Sequence, residues 1–284
     1  MNDNLARIFS YLEKASADKA TMSDEIVEEA GEYFKKALKR QFNPEKRVFK
    51  LRPSNLGKPL CQLQMDAMGA EKQPQDSTFK MRMILGDTIE AIFKAILKAS
   101  NISFEDSQQV DIKIGDHVLS GETDLYIDGK VDDVKSCSAW AYRHKFSSDA
   151  NMKEHDTFGY VDQLVMYSHG SKKDIGGWWA INKATGEITY LELELTEEEI
   201  QERLNTIESK IKAIKDKIPF KRNFEAVEET FRGKKTGNKH LSKTCSFCEY
   251  KNSCWDDLKH MPQPASSAVN PPWYYYTEVQ EGKN

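Results

Sequence analysis

The sequence predicts an α/β fold in which a central mixed β-sheet is flanked by helices and a small cysteine-bound lobe is attached, and three observations carry that prediction. Short runs alternate apolar and polar residues with period two. Longer runs between them keep helical apolar spacing, and turn residues separate the two kinds. A chain of 284 residues with 39% apolar content can bury a proper core as one elaborated domain or as a domain with an appendage.

Residues 1–50 read as an N-terminal helical region. Ser23-Asp24-Glu25-Ile26 opens a helix with Ile26, Ala30, Phe34 and Leu38 near one face, ending around Arg40. Residues 49–53 read as a short strand or an extended lead-in. A second helix covers 83–97, where Ile89, Ile92, Phe93, Ile96 and Leu97 keep helical spacing and Glu90 sits at the edge of the apolar face. A carboxylate there can look inward toward a sheet or simply into solvent, and both readings stay open. Residues 110–114 and 118–120 begin the sheet.

The stretch 121–135 is the most informative. Asp128-Gly129 between two alternating runs is a strong hairpin signal, a two-residue turn that needs positive φ. That turn sets the register: Ile127 pairs with Lys130, Tyr126 with Val131, Leu125 with Asp132, and Asp124 falls opposite Asp133 on one face that Lys135 shares. Like charges across a ladder are destabilising, so the pair implies a compensating gain, most simply a bound cation. By itself an Asp-x-Lys strand also fits a solvated face.

A helix then spans 158–167, with Gln163 and Tyr167 four apart on one face. Strands follow at 176–182 and 188–193 around Lys183-Ala184-Thr185-Gly186, and Thr196 with Glu199 forms a capping box for a long helix ending before Pro219. Residues 256–284 read as an extended C-terminal tail held open by Pro262, Pro264, Pro271 and Pro272. Its Trp273-Tyr274-Tyr275-Tyr276 run is expected to dock on the body, because an aromatic cluster left exposed would invite association.

Cys245, Cys248 and Cys254 form a Cys-x2-Cys-x5-Cys pattern, and Cys61 stands alone far upstream. Four thiolates make a complete site for zinc or an iron–sulfur cluster, and zinc stays open because Cys-x2-Cys is also a zinc half-site and His240 lies close by. Cys137 is left over and reads as an ordinary buried thiol. The net charge of -4 argues against nonspecific coating of nucleic acid, so any binding surface must be local. The lysines of 210–217 fit a solvated helix face, whereas Lys234, Lys235 and Lys239, in a glycine-containing run beside the cysteines, are better phosphate contacts.

These motifs, in this order, resemble the PD-(D/E)XK nuclease superfamily over about residues 52–255: Gly86-x-x-x-Glu90, Asp124, Asp133-x-Lys135 and Gln163-x-x-x-Tyr167, bracketed by Cys61 and the three late cysteines. The resemblance implies a restriction-endonuclease-like core over 51–255, with Cys61 and 241–255 forming an iron–sulfur lobe that joins the N- and C-terminal flanks. It points to the RecB-like branch with a [4Fe-4S] cluster, which includes CRISPR-associated spacer-acquisition exonucleases and the AddB nuclease domain. Glu90 stands where many members of the CRISPR-associated group have His.

The implied function is a metal-dependent DNA nuclease, an exonuclease on single-stranded or frayed ends. Glu90, Asp124, Asp133 and the carbonyl of Val134 would hold Mg2+ or Mn2+, Lys135 would serve the nucleophilic water and the transition state, and Gln163 and Tyr167 would position substrate. A DNA-processing adaptor with a decayed site and a cluster-based sensor are the alternatives. Cytoplasmic location is expected, since residues 1–4 lack the features of a secretory signal and no apolar run reaches membrane-spanning length.

Overall fold

A computed structural model describes residues 2–43 and 48–280, which form two compact units. The first comprises residues up to 57 and 76–211; the second comprises 58–75 and 212 onward. The strands are β1 (Glu105–Asp106), β2 (Gln109–Ile114), β3 (His117–Glu122), β4 (Leu125–Ile127), β5 (Lys130–Cys137), β6 (Asp174–Asn182), β7 (Ile188–Glu192), β8 (Val227–Phe231), β9 (Lys234–His240), β10 (Lys259–Pro262) and β11 (Trp273–Glu278).

The first unit is built on a five-stranded sheet of order β1-β4-β5-β6-β7. It is mixed, because β5 and β6 run parallel while the other neighbours are antiparallel. A parallel pair needs a crossover, which the helices Ala139–His144, Asp149–His155 and Tyr160–Ser171 provide. The expected start of the sheet at 110–120 is instead a separate ribbon, β2 with β3.

Helices cover the sheet through one apolar cluster. Phe93 and Leu97 of the Phe79–Ala99 helix meet Leu125, Ile127, Val134 and Trp179, and the Phe93 and Trp179 ring centroids are 5.2 Å apart. Ile8 of the Asp3–Ser16 helix is fully buried in the same cluster, contributing roughly 2 kcal/mol of hydrophobic stabilisation. The N-terminal residues are therefore part of the core. Two expected apolar faces are rotated: Ile92 is exposed, and in the Asp24–Phe42 helix Ala37 is buried while Phe34 is exposed. Lys94 takes an inward position because its ammonium meets Glu90 at 3.0 Å and Asp106 at 2.9 Å. Thr196 and Glu199 exchange both bonds of a capping box, at 2.8 and 3.2 Å, before the Glu197–Lys215 helix.

The second unit holds a four-stranded sheet of order β10-β11-β9-β8. The residues read as a tail thus supply two of its strands, and Tyr276 is fully buried. The prolines misled because Pro262 sits at the end of β10 and the others lie outside the strands, where a missing N–H costs no ladder bond. Among the described residues, no helix is long and apolar enough to cross a membrane.

Candidate active site

The β4–β5 hairpin has the register that its turn dictates: Ile127 opposite Lys130, Tyr126 opposite Val131 and Leu125 opposite Asp132. Asp128 and Gly129 both take positive φ, 52° and 78°. Asp124 lies one residue beyond this ladder and accepts the Val134 N–H at 2.9 Å, which holds its carboxylate against Asp133.

A bulge aims the strand. Val131 pairs with Ile175 but Asp133 pairs with Trp178, so β6 carries one extra residue at Gly176-Gly177. Both positions require glycine, since a Cβ would come within 2.1 Å of Asp132 Oδ1 at Gly176 and within 2.0 Å of the Leu191 carbonyl at Gly177. Asp132 then accepts the Gly177 N–H at 2.8 Å, the Trp179 indole N–H at 3.1 Å and the Tyr190 hydroxyl at 3.0 Å. Burial pushes its carboxyl up to about 6 against those three donors. With Asp132 anchored and Val134 in the apolar cluster, the alternation of β5 sends Asp133 and Lys135 to the opposite face.

Asp133 is buried, and Lys135 donates to its Oδ1 at 2.7 Å. Its Oδ2 is 2.5 Å from the same ammonium but accepts no hydrogen bond among the described residues. Burial pushes the Asp133 carboxyl up to about 8; Lys135 works against this and the neighbouring Asp124 charge adds to it. Burial disfavours the Lys135 ammonium, but Asp133 and Asp124 outweigh that and hold it above its ordinary value. Glu90 is raised by burial and then by the Asp124 charge, against Lys94. Gly86, one turn earlier, tolerates a Cβ, which would meet Ser136 Oγ at an ordinary 3.6 Å. Tyr167 bonds Gln163 and is pushed up to about 12, mainly by burial and further by Asp124 and Asp133.

The structure thus brings Glu90, Asp124, Asp133, Lys135, Gln163 and Tyr167 into one electrostatic neighbourhood. It does not close them into a metal cage. Among the described residues, no group of three or more His, Cys, Asp or Glu side chains is arranged to hold a metal ion. Lys94 draws Glu90 aside and Lys135 engages Asp133. The donors nonetheless fit a hard divalent cation, because two carboxylates held against each other, one of them buried, repel until a cation is shared between them.

Residues that sequence reasoning missed lie beside this set. The Lys135 ammonium stands 4.8 Å from the Tyr160 ring centroid, and that of buried Lys145 stands 4.0 Å from the same ring. Asp156 faces Lys145 and accepts the N–H groups of Tyr160 and Val161 at the start of the Tyr160–Ser171 helix. Burial pulls the Lys145 ammonium down, with Asp156 opposing and Lys135 adding. A lysine between two loops carries no periodic signal.

In the second unit, Cys61 senses the charges of Cys254 and Cys245, and Cys248 those of all three others, so the four thiols lie within electrostatic reach. They are not drawn together as a ligand set, and burial raises Cys61, Cys245 and Cys248, the last to about 11, which favours neutral thiols. An all-sulfur donor set in one unit still fits a thiolate-bound metal centre. His240 stacks on Tyr274 with centroids 4.5 Å apart, and its Nδ1 is 2.9 Å from the Leu241 carbonyl. Cys137 is buried, its Sγ 3.5 Å from the Ile181 carbonyl. Lys234, Lys235 and Lys239 lie on β9 of a hairpin turning at Arg232-Gly233; Lys235 pairs with Glu228 and Lys239 with Glu278, which neutralises two of the three proposed phosphate contacts. Lys210 is likewise engaged, donating to the Leu56 carbonyl at 2.9 Å.

An acidic pair and a lysine on and beside the β4–β5 hairpin of a mixed sheet are compatible with metal-dependent phosphodiester hydrolysis. The profile of the PD-(D/E)XK nuclease superfamily matches residues 6–255, and the chain belongs to that superfamily. Membership implies a nuclease that uses a divalent metal on DNA. The match begins well before residue 52, in keeping with Ile8 in the core. No curated protein matches the chain significantly. A solved structure described as "Crystal structure of SSO0001" is similar at 15% identity and a TM-score of 0.42, over 78% of this chain and 93% of that one.

Proposed function

We propose that the protein is an exonuclease of the RecB-like branch acting on single-stranded or frayed DNA ends, with Mg2+ or Mn2+ at its active site and a [4Fe-4S] cluster in its second unit. The observation that carries the catalytic part is the buried Asp133 carboxylate held between the Asp124 carboxylate and the Lys135 ammonium. Asp124, Asp133 and the Val134 carbonyl would hold the ion, with Glu90 as a further ligand. A divalent ion in that setting supplies a bound water of lowered pKa and offsets charge growing on the phosphoryl oxygens.

Lys135, which donates to Asp133 at 2.7 Å, would orient or help deprotonate the nucleophilic water and stabilise the transition state. Gln163 and Tyr167, hydrogen-bonded to each other, present an amide and a phenol to the substrate backbone. Cys61, Cys245, Cys248 and Cys254 would hold the cluster. Supporting this are their electrostatic proximity and the bracing of the Cys254 carbonyl by Arg222 Nε at 3.0 Å.

End-labelled single and double strands, with free or blocked ends and added Mg2+ or Mn2+, test the reading. Progressive shortening of free-ended single strands, with closed circles spared, is the expected result; cleavage of circles would replace exonuclease by endonuclease. Aerobically purified protein should be brown. Stoichiometric zinc without iron would refute the cluster and leave the nuclease assignment standing.

A further inference from the structure

We propose that Lys145 and Phe158 form a second substrate contact beside the catalytic lysine, with Lys145 binding a backbone phosphate of a single strand and the outward face of Phe158 stacking on an adjacent base. The inference rests on the nuclease reading and specifies how that site grips its substrate. Its ground is a pair of ammonium groups on one ring: Lys135 at 4.8 Å and Lys145 at 4.0 Å from the Tyr160 centroid. The Lys135 charge acts against the Lys145 ammonium, and an anion beside them would relieve that repulsion.

Lys145 is buried, with only 5% of its surface exposed, yet its ion pair with Asp156 is long, 3.5 Å against the roughly 2.8 Å of a good charged hydrogen bond. Asp156 is already engaged, each of its oxygens accepting a backbone N–H at 2.9 Å. The ammonium therefore rests on a long contact to Asp156 and on the Tyr160 and Phe158 rings.

Phe158 is 61% exposed and stacks on Tyr160 with centroids 5.6 Å apart and planes 19° from parallel, while Lys145 stands 5.3 Å from its centroid. One face of the ring lies on Tyr160, and most of the side chain is open to solvent. The rings thus lead outward from Lys135 as a stacking platform with a cation alongside, which suits an unpaired base and its phosphate. The loop is held in place rather than loosely tethered. Gly159 has φ +75°, and a Cβ there would come within 2.2 Å of Gly57 Cα, so the two backbones cross in contact. Lys145 and Asp156 could otherwise serve only to staple the start of the Tyr160–Ser171 helix, and the test must separate that role from phosphate binding.

The experiment measures binding of a fluorescein-labelled oligothymidylate to the full chain by anisotropy across a salt series, without added divalent ions. Lys145→Met should lower the slope of log affinity against log salt by about 0.7, the share of one single-strand phosphate, and Lys145→Arg should restore it. Phe158→Ala should weaken binding about tenfold at unchanged slope. A folded Lys145→Met protein with the wild-type slope, or Phe158→Ala with wild-type affinity, would overturn the proposal. If Lys145→Met does not fold, the exposed Phe158 decides alone. Asp133→Asn, assayed for cleavage in parallel, keeps the two readings distinguishable: its inactivity together with wild-type binding by both contact variants would overturn this inference only.

Discussion

The β4–β5 hairpin of the first unit and the β8–β9 hairpin of the second each turn on two residues of positive φ, Asp128-Gly129 and Arg232-Gly233, and each buries a carboxylate. In the second, Glu229 Oε2 accepts from Thr236 at 2.6 Å and Asn238 at 2.7 Å, and its Oε1 accepts the Tyr276 hydroxyl. Burial pushes that carboxyl up, but the hydrogen bonds outweigh it and hold it below its ordinary value. In the first, Asp133 has one oxygen without a hydrogen bond, a second carboxylate beside it, and a carboxyl pushed up to about 8 by burial. The same turn chemistry thus serves opposite ends: a carboxylate met only by neutral donors rigidifies a sheet, whereas one held against a second carboxylate keeps a repulsion that a bound cation would relieve.

The largest effect that would break this contrast is on catalysis. Asp124→Asn should reduce cleavage on the order of 1,000-fold or more, read from initial rates on an end-labelled strand, because it removes a charged ligand of the proposed metal. Lys135→Ala should cost on the order of 100-fold, with binding of the strand largely kept, the scale of a lost transition-state donor. An unchanged rate would reduce Lys135 to an ordinary partner of Asp133.

On the structural side, Glu229→Ala should lower stability by roughly 3 kcal/mol in urea denaturation, because Thr236, Asn238 and Tyr276 all lose their acceptor. A further effect, spread over several pH units and therefore shallow at any one of them, is one of pH. A folded Asp133 carboxyl at about 8, raised by burial, binds a proton that the unfolded chain has already lost above its ordinary carboxylate range. Its contribution to stability therefore falls as pH rises from about 4 toward 8, no more steeply than about 1.4 kcal/mol per pH unit. The difference in stability between wild type and Asp133→Asn, followed over that range without divalent ions, should carry this slope; a flat difference would mean that Asp133 ionises normally.

What was legible in the sequence was what local geometry determines. A two-residue turn permits one register, so the pairing of 125–127 with 130–132 was readable, and helical spacing put Gln163 and Tyr167 on one face. Contacts made across loops were not readable. Lys145, Asp156 and Tyr160 meet through two helix boundaries, and β11 finds β9 over more than 30 residues, so neither leaves a periodic trace. Side-chain competition was equally hidden: Lys94 is buried between Glu90 and Asp106, and the cross-strand partners of Lys235 and Lys239 depend on a register set by nonlocal pairing.

The most direct test sets Asp133→Asn against Glu229→Gln, with cleavage and melting temperature measured on both proteins. Asp133→Asn should lose cleavage while melting at or above the wild-type temperature, since it removes one of two carboxylates held against each other, and Glu229→Gln should melt lower. An Asp133→Asn protein that still cleaves, or that melts well below wild type as Glu229→Gln does, would contradict the account by making Asp133 a structural carboxylate like Glu229.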